Sequence, residues 1–340
     1  MCKRILVSQT NTEDGVPFYK IGTIGSTPDA YISKELFDDY KVKYNYPRKG
    51  EVMITCAGTV GKCVVYDGED AYFQDSNIVW IDNPTQYISN GFLFHLLSKV
   101  DWRKLNSTTI IRIYNDDLRN LKMSYPRKEE QQKISHLLSL LDERIATQNK
   151  IIEKLQSLIK GIAQHCIKES TSGNTYVKLG DICQITTGKL DANAQVDNGI
   201  YPFFTCAEQP FKIDSFAFDT EALLISGNGA NLGYINYYKG KFNAYQRTYV
   251  LDLFSENIQY IKWALKVLLP KRIAIEKSSS NTPYIVLSTL TDLRLPIPCK
   301  SKQSFIANLM QSLERKLSNQ IAQYDSYNYL KQYLLRQMFI

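Results

Sequence analysis

The chain contains a sequence duplication, and this feature constrains its fold more than any other. The stretches Pro126-Arg-Lys-Glu-Glu-Gln-Gln-Lys-Ile134 and Pro298-Cys-Lys-Ser-Lys-Gln-Ser-Phe-Ile306 share Pro, Lys, Gln and Ile at the same positions, 172 residues apart (298 − 126). The match extends upstream at the same offset as far as Lys99 and Lys271. Since the chain has 340 residues, we expect two copies of one globular unit, each followed by a helix.

Each copy ends in a long predicted helix. Apolar residues recur at alternating steps of four and three from Ile134 to Cys166 and from Ile306 to Met338. A period of 3.5 residues sustained over four heptads is typical of a coiled coil. With a globular unit between the two helices, an antiparallel pair is expected. The predicted helix-pairing residues are Leu141, Gln148, Leu155, Leu313, Gln320 and Leu334.

Two of these pairing positions are polar, and they are equivalent in the two copies. Gln148 and Gln320 lie at the same site of the repeat. They are either polar residues that the helix seam tolerates or a register lock, because a buried polar pair penalises misaligned helices. The sequence leaves both interpretations open.

The segments outside the helices are rich in short β runs. Runs such as Glu51–Thr55 and Thr248–Leu253 are separated by Gly, Asn and Asp, and helices are expected at Gly91–Lys99 and Ile258–Leu268. The predicted class is α+β, with two pseudo-repeated domains that contain curved β-sheets and are joined by two long antiparallel coiled-coil helices. The expected globular domains are residues 1–125 and 170–298, and the expected helices are residues 126–169 and 299–340.

The two domains are expected to differ at their beginnings. The second opens after a linker, Ser170–Thr175, with Val177-Lys-Leu-Gly-Asp-Ile182. By the repeat alignment Met1 falls just beyond Ile182, so the first domain is expected to be short of this opening edge.

Composition excludes several classes of protein. The 41 Lys and Arg residues exceed the 34 Asp and Glu residues, which gives a mildly basic net charge of +7. We find neither the roughly 18 uninterrupted apolar residues of a membrane span nor the apolar core of a signal peptide, so a cytoplasmic location is expected. The seven cysteines are scattered without a C-x-x-C pair. They predict reduced thiols rather than disulfides or a metal site.

The order of motifs resembles that of one family. Pro126 with Glu130-Gln-Gln-Lys-Ile134, the heptad helix, and the repetition of both after a second globular unit resemble the specificity subunit of type I restriction–modification enzymes. Further similar stretches are Gly22, Ile54–Gly61, Phe73–Val79, Val177–Ile182 and Asn281–Ile285. The resemblance covers essentially the whole chain.

The resemblance implies a non-catalytic DNA-binding subunit. Each of two target-recognition domains would read one half of a split, asymmetric site in double-stranded DNA. The helices would dock two methyltransferase (modification) subunits, with restriction subunits as further candidate partners. No cofactor is expected on this chain, because S-adenosylmethionine would be carried by the methyltransferase subunits.

Candidate DNA contacts combine basic with short polar side chains. Lys and Arg neutralise phosphates, whereas Arg, Gln, Asn and Ser can read base edges. The matched segments 99–112 and 271–284 are predicted to be loops of this composition, although a solvated loop without a ligand is the alternative. The candidates are Gln74, Ser76, Asn77, Arg103, Lys104, Asn106, Ser107, Arg112, Gln246, Arg247, Lys271, Arg272, Lys277, Ser279 and Asn281.

Two other functions stay open on the sequence. Leu224-Ile-Ser-Gly227-Asn-Gly229 resembles a strand followed by a cofactor-binding turn, and Asn281-Thr-Pro-Tyr284 approximates the Asn-Pro-Pro-Tyr motif of N6-adenine DNA methyltransferases. Against this reading, Thr282 replaces the first proline, and a turn that needs positive φ explains the glycines equally well. The second alternative is a coiled-coil scaffold that joins proteins rather than DNA.

Overall fold

The structure is a computed structural model that describes residues 1–104, 112–170, 175–277 and 284–339, with the side chains of Thr175 and Lys277 excepted. Its tertiary contacts divide the chain into two compact units. The first unit is Met1–Asn149 with Gln323–Ile340, and the second unit is Lys150–Ala322.

The first half of the chain contains seven strands and four α-helices within the described residues. In order they are β1 (Thr10–Asn11), β2 (Val16–Tyr19), β3 (Tyr31–Ile32), α1 (Lys34–Lys43), β4 (Val52–Thr55), β5 (Cys63–Val65), β6 (Tyr72–Phe73), β7 (Ile78–Ile81), α2 (Asn90–Lys99), α3 (Asn115–Arg119) and α4 (Lys128–Glu169).

The second half contains the remaining described elements. In order they are β8 (Thr175–Lys178), β9 (Gln184–Thr187), β10 (Tyr201–Phe204), β11 (Phe211–Ile213), β12 (Phe218–Ser226), β13 (Ile235–Ala244), β14 (Thr248–Asp252), α5 (Ile258–Lys277), α6 (Leu287–Thr291), β15 (Arg294–Ile297) and α7 (Lys300–Met338).

The first unit is built on two small sheets. One has the order β1-β3-β2-β6, and the other has the order β5-β4-β7. All four residues of β4 are buried, as expected for an apolar strand with a neighbour on each side. Helix α2 packs against β4 and β5, and its N-cap Ser89 accepts a hydrogen bond from the Phe92 N–H at 3.3 Å.

The second unit is built on one larger sheet of order β11-β10-β13-β12-β14-β9, with β8 and β15 forming a separate pair. β12 is central and pairs antiparallel with both β13 and β14. Helix α5 covers this sheet and contributes Tyr260, Ile261 and Leu265 to the core.

The duplication is visible in the backbone hydrogen bonds of the two units. In the first unit the Thr55 N–H donates to Lys62 O at 3.0 Å, and the Gly61 N–H donates to Thr55 O at 2.9 Å. In the second unit, the Ser226 N–H donates to Tyr234 O at 3.0 Å, and the Gly233 N–H donates to Ser226 O at 2.8 Å. The same pair of backbone hydrogen bonds therefore closes the hairpin after the central strand in both copies, although the turn has six residues in the first unit (56–61) and seven in the second (227–233).

Helices α4 and α7 run antiparallel within each unit. In the first unit Leu138 of α4 lies in one apolar cluster with Leu335 and Phe339 of α7. Asp142, one turn later on α4, forms an ion pair with Lys331, one turn earlier on α7. The second unit holds the other half of each helix. There Leu313 and Leu317 of α7 pack against the cluster that contains Leu155 and Ile159 of α4.

The predicted class and the antiparallel helix pair are therefore confirmed. At the other pairing positions, Leu141 and Gln148 are buried on α4, and Leu334 packs half-buried against the cluster that holds Leu138. Gln320 is half-buried on α7.

One predicted boundary is wrong. Helix α5 does not end at Leu268 but continues through Pro270 to Lys277, so Lys271 and Arg272 lie on a helix rather than in a loop. Proline inside a helix costs roughly 3 kcal/mol. Burial of Leu269 and the packing of Ile273 against the core offset this cost.

The described residues lack other features that would suggest a different class. Within them, no helix is long and apolar enough to cross a membrane. All seven cysteines are free. Among the described side chains, no group of three or more His, Cys, Asp and Glu could hold a metal ion.

Candidate functional site

Three segments of the first unit meet where β4 ends. The Cys56 N–H donates to Asn77 O at 2.7 Å, and Cys56 O accepts from the Ile113 N–H at 2.9 Å. Arg112, next to Ile113, donates from Nη2 to Ser76 O at 3.5 Å. We call Cys56–Lys62, Gln74–Asn77 and Arg112 the first rim.

The sequence candidates Gln74, Ser76, Asn77 and Arg112 are thus neighbours in the fold. Ser76 has a φ of +43°, a left-handed conformation that is uncommon outside Gly, Asn and Asp. Gln74 Oε1 accepts from the Ile21 N–H at 3.2 Å. This bond fixes the orientation of the carboxamide and leaves its amide group as a donor.

The second unit repeats this arrangement at the end of β12. The Gly227 N–H donates to Arg247 O at 2.8 Å, and Gly227 O accepts from the Ile285 N–H at 2.9 Å. We call Gly227–Gly233, Gln246, Arg247 and Tyr284 the second rim. The backbone of Gln246 is held by Leu190 O at 2.9 Å, while the side chains of Gln246 and Arg247 are exposed.

Gly227 is required by close packing of the backbone. A Cβ at this position would lie 2.5 Å from Arg247 O, inside contact distance. The first unit has Cys56 at the equivalent site, which shows that the requirement belongs to the second rim alone.

The basic candidates next to the rims are sequence neighbours of residues that pack against the hairpin turns. A Cβ on Gly61 would lie 2.2 Å from Trp102 Cδ1, and a Cβ on Gly233 would lie 2.7 Å from Ile273 Cδ1. Arg103 follows Trp102, and Arg272 precedes Ile273. Both units therefore place an arginine beside the residue that packs on the turn.

The basic side chains differ in their ion pairing. Lys104 lies 3.6 Å from Asp101, and Arg272 Nε lies 2.8 Å from Glu276 on the next turn of α5. Arg103 and Lys271 are exposed. Asn106, Ser107, Ser279 and Asn281, together with the side chain of Lys277, lie outside the described residues.

Sequence reasoning missed part of the second rim. The Cys206 thiol contacts Asn228 Oδ1 at 3.0 Å, and Asn231 Nδ2 donates to Cys206 O at 3.0 Å. These contacts join the segment after β10 to the hairpin turn. Two asparagines in a matched turn are the signal in the sequence, but the glycines of the same turn suggest only a cofactor site.

The methyltransferase interpretation fails at that turn. Gly227 and Gly229 connect β12 to the antiparallel strand β13, with Ile225 opposite Ile235. A dinucleotide-type turn leads from a strand into a helix, whose N-terminus receives the phosphates. Asn281, Thr282 and Pro283 lie outside the described residues.

Two cysteines at or next to the first rim have raised thiol pKa values. Burial raises the pKa of the Cys56 thiol to about 11 and that of Cys63 to about 12. Both groups are therefore protonated at neutral pH and unreactive. The described side chains of the rims supply hydrogen-bonding groups and positive charge, which suits the binding of a polar ligand.

Comparison with known proteins identifies the family. The model of the family described as type I restriction modification DNA specificity domain matches residues 1–157 and again residues 171–324. The chain belongs to this family and contains its domain twice.

Named relatives agree with this assignment. A putative type I restriction enzyme specificity subunit of Haemophilus influenzae is 49% identical over 160 residues, which is 47% of this chain and 41% of that protein. The type I restriction enzyme EcoDI specificity subunit of Escherichia coli is 44% identical over 137 residues, or 40% of this chain and 30% of that protein. The matches thus span less than half the length of either relative.

A solved structure shares the fold. The crystal structure of a type I restriction–modification system S subunit from M. genitalium matches 100% of this chain and 92% of its own length, with a TM-score of 0.70 at 19% identity. This similarity shows that the two chains share a fold.

Proposed function

We propose that this protein is the DNA sequence-recognition subunit of a type I restriction–modification system. Its domains, residues 1–125 and 170–298, each read one half of a split, asymmetric site. Its helices, residues 126–169 and 299–340, bind two methyltransferase subunits, with a restriction subunit as a further candidate partner. The complex acts on DNA in the cytoplasm, and the chain itself is not catalytic.

The duplicated rim is the observation that carries the proposal. In both units, polar or basic side chains surround the end of the central strand, and the same backbone hydrogen bonds hold them there. Two equivalent surfaces that differ in sequence suit two different half-sites. The repeat alignment matches Gln74, Ser76 and Asn77 of the first unit with Gln246 and Arg247 of the second unit. Each half-site would therefore be read by its own set of side chains.

The chemistry of these side chains suits base edges. Arg donates two hydrogen bonds to guanine O6 and N7, and Gln pairs with adenine N6 and N7. Arg112, Arg103 and Lys104 in the first unit and Lys271, Arg272 and Lys277 in the second supply positive charge for phosphates. The segments that hold Asn106, Ser107, Ser279 and Asn281 belong to the same proposed contact surfaces.

Exchange of one domain tests the proposal. Residues 170–298 are replaced by the corresponding domain of a relative with a different target, and methylated adenines are mapped in a host that carries the methyltransferase subunit. We expect one half of the methylated site to change while the other half is kept. A change in both halves, or in neither, would contradict two independent readers.

A single substitution gives a finer result. Arg247→Ala should relax base preference in one half-site, with a loss of about 1–3 kcal/mol of discrimination at one position. Arg315→Ala removes an exposed arginine from α7 and serves as the matched control. If Arg247→Ala weakened binding to all sequences equally while Arg315→Ala did not, Arg247 would be a phosphate contact and not a base reader.

A further inference from the structure

The second unit contains a pocket at the place where three of its helices meet. The pocket has a volume of about 580 Å³ and is lined by residues of α4, α5 and α7. Its apolar wall includes Ile159 and Ala163 of α4, Pro270 of α5 and Leu317 of α7. A mostly apolar pocket of this size, with a few polar groups, is typical of a site for a small molecule.

Two features of the second unit create this space. Helix α5 has 20 residues and continues through Pro270, whereas α2, at the same place in the first unit, has 10. The longer helix therefore extends the wall that faces α4. On α4, Ala163 is equivalent in the repeat to Leu335, which is buried in one cluster with Leu138 and Phe92. A small side chain thus lies where the other copy has a large one.

The exposed edge of the pocket is positively charged. Lys160 of α4 and Lys266 and Lys271 of α5 line it, and none of the described lining residues is Asp or Glu. Lys266 and Lys262 share one carboxylate, that of Glu314, at 3.1 and 2.7 Å. Lys160 and Lys271 are exposed and form no ion pair with another described residue. Their charges are therefore available to an anion.

One wall of the pocket contains a buried hydrogen-bond donor without an acceptor. Trp263 lines the pocket and is only 6% exposed, and its Nε1–H has no partner among the described residues. Such a group is uncommon in folded proteins, and a bound molecule with an acceptor atom would satisfy it. Lys266 Nζ lies 4.4 Å from the centre of the indole ring, so positive charge and the unpaired donor occur at the same wall.

We propose that this pocket binds a small amphipathic carboxylate. The apolar body of the ligand would fill the space beside Ala163, and its carboxylate would be bound by Lys160 and Lys271 at the exposed edge. An uncharged apolar ligand would leave these two charges without a partner. A cationic ligand would be repelled by them, because like charges repel at this distance from bulk water.

The pocket lies on a different face of α4 from the exposed side chain of Leu158. Leu158 is two residues away from both Gln156 and Lys160, which line the pocket, and two residues correspond to about 200° around a helix. A protein bound at Leu158 would therefore not fill the pocket. This separation favours a small molecule as the occupant.

Octanoate tests the proposal, with octanol as the uncharged control of the same chain length. The full chain is labelled with fluorotryptophan, which gives one fluorine NMR signal for each of Trp80, Trp102 and Trp263, and Trp263→Phe assigns the third signal. We expect octanoate to shift the Trp263 signal saturably and to leave the other two unchanged. Octanol should bind at least about threefold more weakly, because it lacks the charge that the lysines attract.

Variants of the pocket test its charge and its space separately. Lys160→Met combined with Lys271→Met should weaken octanoate binding by about threefold to tenfold and leave octanol binding unchanged. Lys154→Met, at an exposed site of α4 outside the pocket, is the matched control. Ala163→Leu introduces the residue that the first unit has as Leu335, and it should abolish binding of both ligands.

Several outcomes would overturn the proposal. They are the absence of a saturable shift of the Trp263 signal, equal affinities for octanoate and octanol, and unchanged octanoate binding in the double lysine variant or in Ala163→Leu. A shift of the Trp80 signal instead would place the ligand in the first unit and would also overturn it. The two lysines are exposed, so their substitution keeps the test valid even if Ala163→Leu destabilises the fold. None of these measurements involves DNA or a methyltransferase, and the inference does not rest on the proposed function.

Discussion

A buried glutamine fixes the start of each long helix to the globular part of its unit. Gln131 Oε1 accepts from the Ser89 N–H at 2.8 Å, and its Nε2 donates to Tyr87 O at 3.0 Å and Pro126 O at 2.9 Å. Gln303 repeats this pattern with the Asn257 N–H at 3.0 Å and Pro298 O at 2.9 Å. Ser89 and Asn257 each precede the first residue of a helix, so the glutamine joins two helix starts.

Substitution of this glutamine should destabilise the first unit. Gln131→Met keeps the volume but leaves one N–H and two carbonyl groups without a partner, which should lower the free energy of unfolding by about 2–4 kcal/mol. Gln132→Met alters the exposed neighbour and should cost little. Chemical denaturation of both variants measures the difference. Equal stabilities would show that the buried hydrogen bonds are replaced by water.

The duplication identifies Gln131 and Gln303 as equivalent residues in the sequence, but it does not indicate what they bind. Besides Pro126, the partners of Gln131 lie 42 and 44 residues away in the chain, and no local pattern indicates those two. Heptad spacing, in contrast, is a local signal. It located α4 and α7 correctly because one apolar stripe is sufficient to define such a helix.

Another buried polar residue of the first unit makes its stability sensitive to acid. His95 is buried on α2, and burial lowers the pKa of its imidazole below 6.5, while the nearby Asp142 carboxylate acts in the opposite direction and Lys331 in the same direction. Because the unfolded chain then binds a proton more readily than the folded chain, stability is lost as the pH falls below about 6.5.

The histidine variant tests this pH dependence. His95→Gln should remove a contribution of up to about 1.4 kcal/mol per pH unit from the loss of stability between neutral pH and pH 5. His136→Gln changes an exposed histidine on α4 and serves as the control. Hydrogen exchange of the α2 amides, corrected for intrinsic rates, provides the measurement. An unchanged slope in His95→Gln would assign the acid sensitivity to other groups.

At the scale of elements, α4 exposes more apolar surface than pairing with α7 covers. Leu137 and Leu140 are 44% and 46% exposed in the first unit, and Ile151 and Leu158 are 41% and 54% exposed in the second. Apolar side chains that cluster on an exposed helix face indicate an interaction surface. Under the proposed function, the partner at each patch is a methyltransferase subunit.

A negative charge introduced into one apolar patch of α4 should weaken binding of the methyltransferase subunit at that patch. Leu137→Glu should weaken the affinity for one methyltransferase subunit by at least about tenfold, and Leu158→Glu should do the same for the other. Ser139→Glu and Ser157→Glu add the same charge at exposed neighbours and serve as controls. Light scattering of the chain mixed with the methyltransferase gives the stoichiometry. Complexes with two partners for both leucine variants would exclude these patches as the docking sites.

The bounds of an element were predicted correctly where a local sequence pattern determines them, and incorrectly where burial in the tertiary fold determines them. The strand around Ile54 and the helix over Gly91–Lys99 follow from apolar pattern, and the structure has both within a residue or two of the expected bounds. The extension of α5 through Pro270 could not be predicted, because local propensity opposes it and buried Leu269 favours it. The glycine turn after β12 was ambiguous, since only the following strand distinguishes a hairpin from a cofactor site.

At the scale of the whole molecule, α4 is one uninterrupted helix that leaves the first unit at Asn149 and enters the second at Lys150. Its 42 residues correspond to about 63 Å at 1.5 Å per residue. If each domain reads one half-site, we expect the length of α4 to set the number of base pairs in the spacer.

Lengthening this helix should change the spacer alone. Insertion of four residues after Gln148 adds about 6 Å and rotates the following part of the helix by about 40°, while disturbing the heptad seam only as a stutter. Both rims stay unaltered, so we expect both half-sites to be kept and the spacer between them to change. Four residues inserted after Gly68, in an exposed turn of the first unit, should leave the spacer as it was. Mapping of methylated adenines decides the outcome, because full activity with the original spacer would show that α4 does not set the distance.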